Sequence, residues 1–183
     1  MTKLTIQKNI VGAVLAGGQS SRMGQDKAML PFKGETLLHH QVQLLRRICS
    51  HVVVSGEYPG FDCIPDSVAK YGPISGIYSV AKRFQNTALL VVPVDMPQLT
   101  EEHLDRFLAM EHSCFIEGHP LPAYFANHNL LTSTIENMFD STQNDYSIRK
   151  LHALQGSSSL QLIDFDGLNV NNFSQWQDFL QKS

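Results

Sequence analysis

Three short apolar or β-branched runs, each closed by residues that break strands, constrain this chain more than any other feature. Ile10-Val11-Gly12-Ala13-Val14-Leu15-Ala16 carries no polar side chain and ends in Gly17-Gly18. His51-Val52-Val53-Val54-Ser55-Gly56 is built on valine, and Ala88-Leu89-Leu90-Val91-Val92-Pro93-Val94 runs into Asp95-Met96-Pro97. A strand that is apolar on both faces must be covered on both, the condition of a parallel strand inside a sheet. The segments between the runs have helical character. Leu38, Val42, Leu45 and Cys49 recur at helical spacing and predict a helix over Thr36 to Ile48, with Gly34 punctuating its start. Gly72-Pro73 opens a second helix through about Phe84, since proline in a first turn forfeits only an N–H that lacks a partner anyway. Thr100-Glu101-Glu102-His103 reads as an N-cap with an acidic first turn, for a helix to about Met110. This alternation predicts a three-layer α/β/α, Rossmann-like fold with a mostly parallel central sheet.

The last third is mixed. Pro59-Gly60 marks a turn before a brief edge strand at Cys63-Ile64, and further short strands are expected at Cys114-Phe115-Ile116, Ala123-Tyr124-Phe125 and Leu160 to Ile163. Helices are expected at Leu130 to Met138, Ile148 to Leu154 and Ser174 to Leu180. Gly156-Ser157-Ser158-Ser159 is a polar break too short to link two domains, so the 183 residues are expected to form a single domain, 1–183.

Composition is that of an ordinary globular chain, 43% hydrophobic and 17% charged. The net charge of -3, without a basic stripe, argues against nucleic acid as a partner. The cysteines Cys49, Cys63 and Cys114 are scattered and odd in number, so free thiols in a reducing cytoplasm are expected, not a disulfide framework or a zinc site. The N-terminus has no signal-peptide pattern, and Ile10 to Ala16 is far shorter than the roughly 20 apolar residues a membrane span needs. A cytoplasmic protein with no membrane partner is expected.

Chemistry concentrates in Leu15-Ala16-Gly17-Gly18-Gln19-Ser20-Ser21-Arg22-Met23-Gly24-Gln25-Asp26-Lys27. Ligands of open α/β sheets bind beyond the carboxyl ends of the strands, where this loop must lie. Gly17, Gly18 and Gly24 let backbone N–H groups approach an anion, and Arg22 and Lys27 add charge. The parts describe a cradle for a triphosphate. Neither common phosphate loop is present: Gly24 is followed by Gln25-Asp26, not by Lys-Ser/Thr, and Gly17-Gly18-Gln19 does not begin Gly-x-Gly-x-x-Gly. Asp95 ends the third run at the same edge, where a carboxylate suits Mg²⁺.

Leu15-Ala16-Gly17-Gly18-x-Ser20-x-Arg22-Met23-Gly24-x-Asp26-Lys27 resembles the signature of the molybdenum cofactor guanylyltransferases, a branch of the nucleotide-diphospho-sugar transferase superfamily. Asp66-Ser67, Gly72-Pro73-Ile74-Ser75-Gly76, Pro93-Val94-Asp95-Met96-Pro97, His119-Pro120 and Asn169-Val170-Asn171 resemble further family stretches in the same order. The resemblance implies transfer of GMP from GTP to molybdenum-bound molybdopterin, giving the guanine dinucleotide cofactor and pyrophosphate, with Mg²⁺ present. It divides the chain into a nucleotide-binding half, 1–110, and an acceptor-binding half, 111–183. It makes Lys27, Arg22 and Asp95 catalytic, with Asp95 the metal ligand. It assigns Leu15, Ala16, Gly17, Gly18, Lys27, Ser55, Asp66 and Asp95 to the nucleotide, and Arg149, Asn169 and Asn171 to the acceptor. It also implies molybdoenzyme-maturation proteins as partners. Ser55 departs from the asparagine common in the family, and the hydroxyl or a water must take over that contact. Gly76 sits inside a helix, where glycine costs about 1 kcal/mol relative to alanine, so a close neighbour, ligand or backbone, or simple packing is implied. His39 and His40 read as solvated. A cytidylyltransferase acting on the same pterin is an alternative, although its relatives tend to carry Ala-Ala-Gly where Gly17-Gly18 stands here. A non-catalytic cofactor carrier is a second, and it has no need of Lys27 or Asp95.

Overall fold

Strands with no polar face belong in the interior of a sheet, and the computed structural model places them there; it describes residues 9–17, 26–67, 71–142, 144–162, 165 and 175–177. In chain order the elements are β1 (Ile10–Leu15), a 3₁₀ turn (Lys27–Met29), β2 (Pro31–Phe32), β3 (Glu35–Thr36), α1 (Leu37–Arg46), β4 (His51–Ser55), β5 (Cys63–Ile64), α2 (Pro73–Arg83), β6 (Ala88–Pro93), α3 (Glu101–Leu108), β7 (Cys114–Ile116), β8 (Ala123–Phe125), α4 (His128–Asp140), α5 (Ile148–Gln155) and β9 (Ser158–Leu160). Seven strands form one sheet in the order β5-β4-β1-β6-β8-β7-β9, and β2 and β3 pair separately. β1 lies between β4 and β6 and is parallel to both; β8 runs antiparallel to β6 and β7, and β9 is parallel to β7. The protein is thus α/β, with a mostly parallel sheet and antiparallel parts contributed by its last third. Strands from both halves of the chain share that sheet.

The alternation along β1 explains the layers. Ile10 and Val14 enter one core with Leu38 and Leu45 of α1 and Leu104 and Phe107 of α3. Val11 and Ala13 enter the other, with Ile74 and Ile77 of α2, Ile135 of α4 and Leu151 of α5. Gly12 faces α1, and a Cβ there would press within 3.0–3.2 Å of Cys49 Sγ and Leu45. Helices therefore cover both faces. Among the described residues, no helix is long and apolar enough to cross a membrane.

Helix ends follow their caps. Thr36, Thr100, Asn127 and Ser147 each accept a backbone N–H from the first turn of α1, α3, α4 and α5. Helix α1 stops at Arg46, short of the expected Ile48, because Cys49 and Ile48 both turn back onto Leu45 O. The last strand also differs from expectation: it is Ser158–Leu160, not Leu160 to Ile163, and it begins within the polar break. Gly156, at φ 63°, caps α5 in the left-handed region and returns the chain to β7 at once. Pairing there is through backbone groups, and an edge strand needs no apolar run. The β2–β3 hairpin lacked a hydrophobic signal; Lys33 and Gly34, at φ 48° and 85°, form its turn. Of the expected helix from Ser174 to Leu180 only residues 175–177 are described; they are helical, and Trp176 is buried against Phe32 at 5.9 Å.

Candidate active site

The sheet order reverses at β1. From there the chain moves outward to β4 and β5 over α1, then returns through α2 to β6 on the other side. Such a switch point leaves a crevice between the carboxyl ends of the two central strands, and ligands of open α/β sheets occupy it. Leu15 and Pro93 are paired there, and Val94 N–H donates to Leu15 O at 3.1 Å. The site begins within two residues of each strand end: Ala16-Gly17 after β1, and Asp95 after β6.

Lys27 Nζ lies 3.2 Å from Asp95 Oδ2, a contact across 68 residues, with both side chains about one-fifth exposed. Lys27 opens the 3₁₀ turn, and Asp26 caps that turn by accepting Ala28 N–H at 3.0 Å. The two expected catalytic residues within the described structure are therefore brought together. Behind Asp95, Gln41 Nε2 donates to Met96 O at 2.6 Å and is fully buried. Gln41 was not among the expected site residues. Its signal was a polar residue on the buried stripe of α1, between Leu38 and Leu45.

On the β4 side, Ser55 O accepts the N–H groups of both Ala16 (3.2 Å) and Gly17 (2.9 Å). A Cβ on Gly17 would lie 3.4 Å from that oxygen. The Ser55 hydroxyl is buried and donates to Asp66 Oδ1 at 3.0 Å, while Asp66 itself is exposed beyond the end of β5. Ser55 therefore orients the Asp66 carboxylate in this structure. Gly76 is explained by the same pair: a Cβ on it would collide with Ser55 Oγ and approach Asp66 Oδ1 to 3.3 Å. Its close neighbour is a side chain, not a second backbone.

The antiparallel side is built differently. β7 ends at the same edge of the sheet, so the 117–122 connection begins at that edge. Arg149, exposed on the first turn of α5, donates from its guanidinium to Gly118 O at 3.2 Å. One turn on, buried His152 bonds through Nε2 to Pro120 O at 2.9 Å, and its ring stacks on Phe115 at 4.2 Å. A carbonyl only accepts, so Nε2 carries the proton. Burial holds the His152 pKa below its ordinary value; the Pro120 carbonyl opposes this and Arg149 reinforces it.

Gly18, Arg22, Asn169 and Asn171 lie outside the described residues. His40 corrects its expectation: it is half-buried, edge-on to Phe32 at 4.7 Å, and burial lowers its pKa. All three cysteines are free, and burial pushes the Cys49 thiol up to about 12 and Cys114 to about 11, which keeps both from acting as nucleophiles.

An α/β sheet that gathers a lysine, a carboxylate and glycine-lined backbone at its switch point belongs to the nucleotide-phosphate-binding class. Residues 12–155 match the model of the MobA-like NTP transferase domain, and the chain belongs to that family. It is an enzyme, a nucleotidyltransferase. A molybdenum cofactor guanylyltransferase of Xanthomonas euvesicatoria pv. vesicatoria is 38% identical over 98% of this chain and 99% of its own length. One from Campylobacter jejuni is 30% identical over 92% of this chain and 94% of its own. The fold is shared with molybdopterin-guanine dinucleotide biosynthesis protein A from Archaeoglobus fulgidus, with a TM-score of 0.75 at 19% identity, covering 94% of this chain and 100% of that one.

Proposed function

We propose that this protein transfers GMP from GTP to molybdenum-bound molybdopterin in the cytoplasm, releasing pyrophosphate and forming the guanine dinucleotide cofactor. The observation that carries the reading is the Lys27–Asp95 pair, joined at 3.2 Å across the switch point. The relatives' names supply the substrates. A phosphate oxygen of the pterin forms a bond to the α-phosphorus of GTP. The bond from that phosphorus to the β-phosphate bridging oxygen breaks, and pyrophosphate leaves with that electron pair. Such a transfer needs positioning and charge neutralisation more than covalent help from the protein.

Asp95 offers hard carboxylate oxygens at a partly open position, and the described residues include no group of three or more His, Cys, Asp or Glu side chains arranged to hold a metal ion. That donor set fits Mg²⁺, which is held by one or two carboxylates with water and substrate phosphates filling the rest. Bound at Asp95, Mg²⁺ supplies charge neutralisation on the phosphate oxygens. Lys27 exchanges its contact with Asp95 for phosphate oxygens when the triphosphate arrives. Ala16, Gly17 and Gly18 line the nucleotide with backbone, Leu15 underlies them, and Arg22 holds the departing pyrophosphate. Asp66, oriented by Ser55, accepts hydrogen bonds from the nucleoside; binding of the acceptor is assigned to Arg149, Asn169 and Asn171. The two halves, 1–110 and 111–183, act as one domain.

Titration with GTP, CTP and ATP in the presence of Mg²⁺ tests the nucleotide assignment. GTP is expected to bind at least about tenfold more tightly than the others, the worth of roughly 1.4 kcal/mol of base contact. Equal binding of CTP contradicts it.

A further inference from the structure

Tyr58 lies outside every motif that pointed to the site, yet its side chain reaches both ends of the signature loop. Its hydroxyl sits 3.0 Å from Ala16 O and 3.3 Å from Asp26 Oδ1. One proton is shared between a backbone carbonyl directly after β1 and the carboxylate directly before Lys27. The same Asp26 oxygen accepts Ala28 N–H and so fixes the turn from which Lys27 extends to Asp95. On the other flank, Ala16 is already held by its N–H bond to Ser55 O. The phenol thus connects a rigid strand end to the residue that orients the lysine.

The surroundings of the ring are shaped for this reach. Gly56 has φ +138°, and a Cβ there would lie 2.8 Å from the Tyr58 ring, so only glycine both takes the backbone turn and leaves room for the aromatic face. Cys63 Sγ accepts Tyr58 N–H and donates to Tyr58 O, each at 3.3 Å, which holds the main chain at that position from β5. Burial, and then the Asp26 carboxylate, raise the phenol's pKa above its ordinary value, so the hydroxyl keeps its proton at neutral pH.

We infer that Tyr58 is a positioning residue for the transfer reaction, acting through Asp26 to set Lys27 against the triphosphate. The inference deepens the proposed function and rests on its use of Lys27. Two chemical features separate this role from simple packing. The effect should fall on the phosphates and not on the nucleoside, and it should vanish when Lys27 is gone.

The test uses the full chain with Tyr58→Phe, Lys27→Ala and the double variant, titrated with GTP and with guanosine in the presence of Mg²⁺. Tyr58→Phe keeps the ring over Gly56 and removes only the hydroxyl. Its expected effect is an approximately 3- to 10-fold weaker GTP dissociation constant, the net worth of a hydrogen bond, with guanosine affinity unchanged. In the Lys27→Ala background the substitution is expected to add nothing, the non-additivity of residues acting as a unit. An unchanged GTP constant, an equal loss on guanosine, or the same factor in the Lys27→Ala background overturns the inference. Failure of the underlying reading looks different. If Lys27→Ala itself leaves GTP binding intact, the role of Lys27 falls and the inference with it. If wild type prefers CTP, only the guanine assignment falls, and the same ratios are read on CTP.

Discussion

The two sides of the sheet's carboxyl edge hold their polar side chains in different ways. On the parallel side, around β1, β4 and β6, Gln41 and Tyr58 also bond to backbone, but polar side chains meet one another as well: Lys27 with Asp95 at 3.2 Å and Ser55 with Asp66 at 3.0 Å. On the antiparallel side, Arg149 and His152 of α5 spend their donors on backbone, the carbonyls of Gly118 and Pro120. The first side presents a charged pair at a partly exposed position. The second braces a loop. The difference teaches that the charged side-chain pair belongs to the parallel half, while the antiparallel half braces the connection that follows β7.

Substitutions can break or sharpen that contrast. The largest effect is expected from Asp95→Ala, which is predicted to lower turnover by about 100-fold or more by removing the carboxylate proposed to hold Mg²⁺. Arg149→Ala is predicted to raise the KM for the pterin acceptor by about tenfold, the scale of a charge-assisted hydrogen bond, and to leave the GTP constant unchanged. Steady-state kinetics on both variants decides the point: a shift in GTP affinity with Arg149→Ala, or wild-type pyrophosphate release with Asp95→Ala, dissolves the division between the sides.

The smallest effect concerns the brace itself. His152 has a folded pKa below its unfolded value, chiefly from burial. As pH falls below about 6.5, the unfolded chain takes up a proton that the folded ring resists, so folding stability drops. Above that pH the histidine is neutral in both states and contributes no slope. Denaturant melts across this range are predicted to show the acid loss in wild type and a flatter slope in His152→Gln; identical slopes would show that His152 does not set the acid loss.

Much of this arrangement was legible in the sequence, and the reasons are specific. β1, β4 and β6 are apolar because they are interior, and the spans Cys63–Ile64, Cys114–Ile116 and Ala123–Phe125 were read as they are observed. Asp95 could be placed because it ends an apolar run at the same edge as the glycine-rich loop. Other features depend on contacts across the fold and leave no local pattern. Gly76 is glycine because Ser55, on a different strand, occupies the space of its Cβ. Gln41 and Tyr58 act on the backbone of Met96 and Ala16, and partners of that kind carry no side-chain signature. The hairpin at Lys33-Gly34 and the strand from Ser158 are set by backbone turns and pairing, not by hydrophobic period.

The proposed role of the charged pair on the parallel side is guanylyl transfer. It is tested most directly by incubating the protein with GTP, Mg²⁺ and molybdenum-bound molybdopterin and identifying the nucleotide product by mass spectrometry, with CTP in a parallel reaction. The expected product is the guanine dinucleotide cofactor, with one pyrophosphate released per dinucleotide formed, and far less product from CTP. Formation of the cytosine dinucleotide in preference, or GTP bound without any dinucleotide formed, would contradict it.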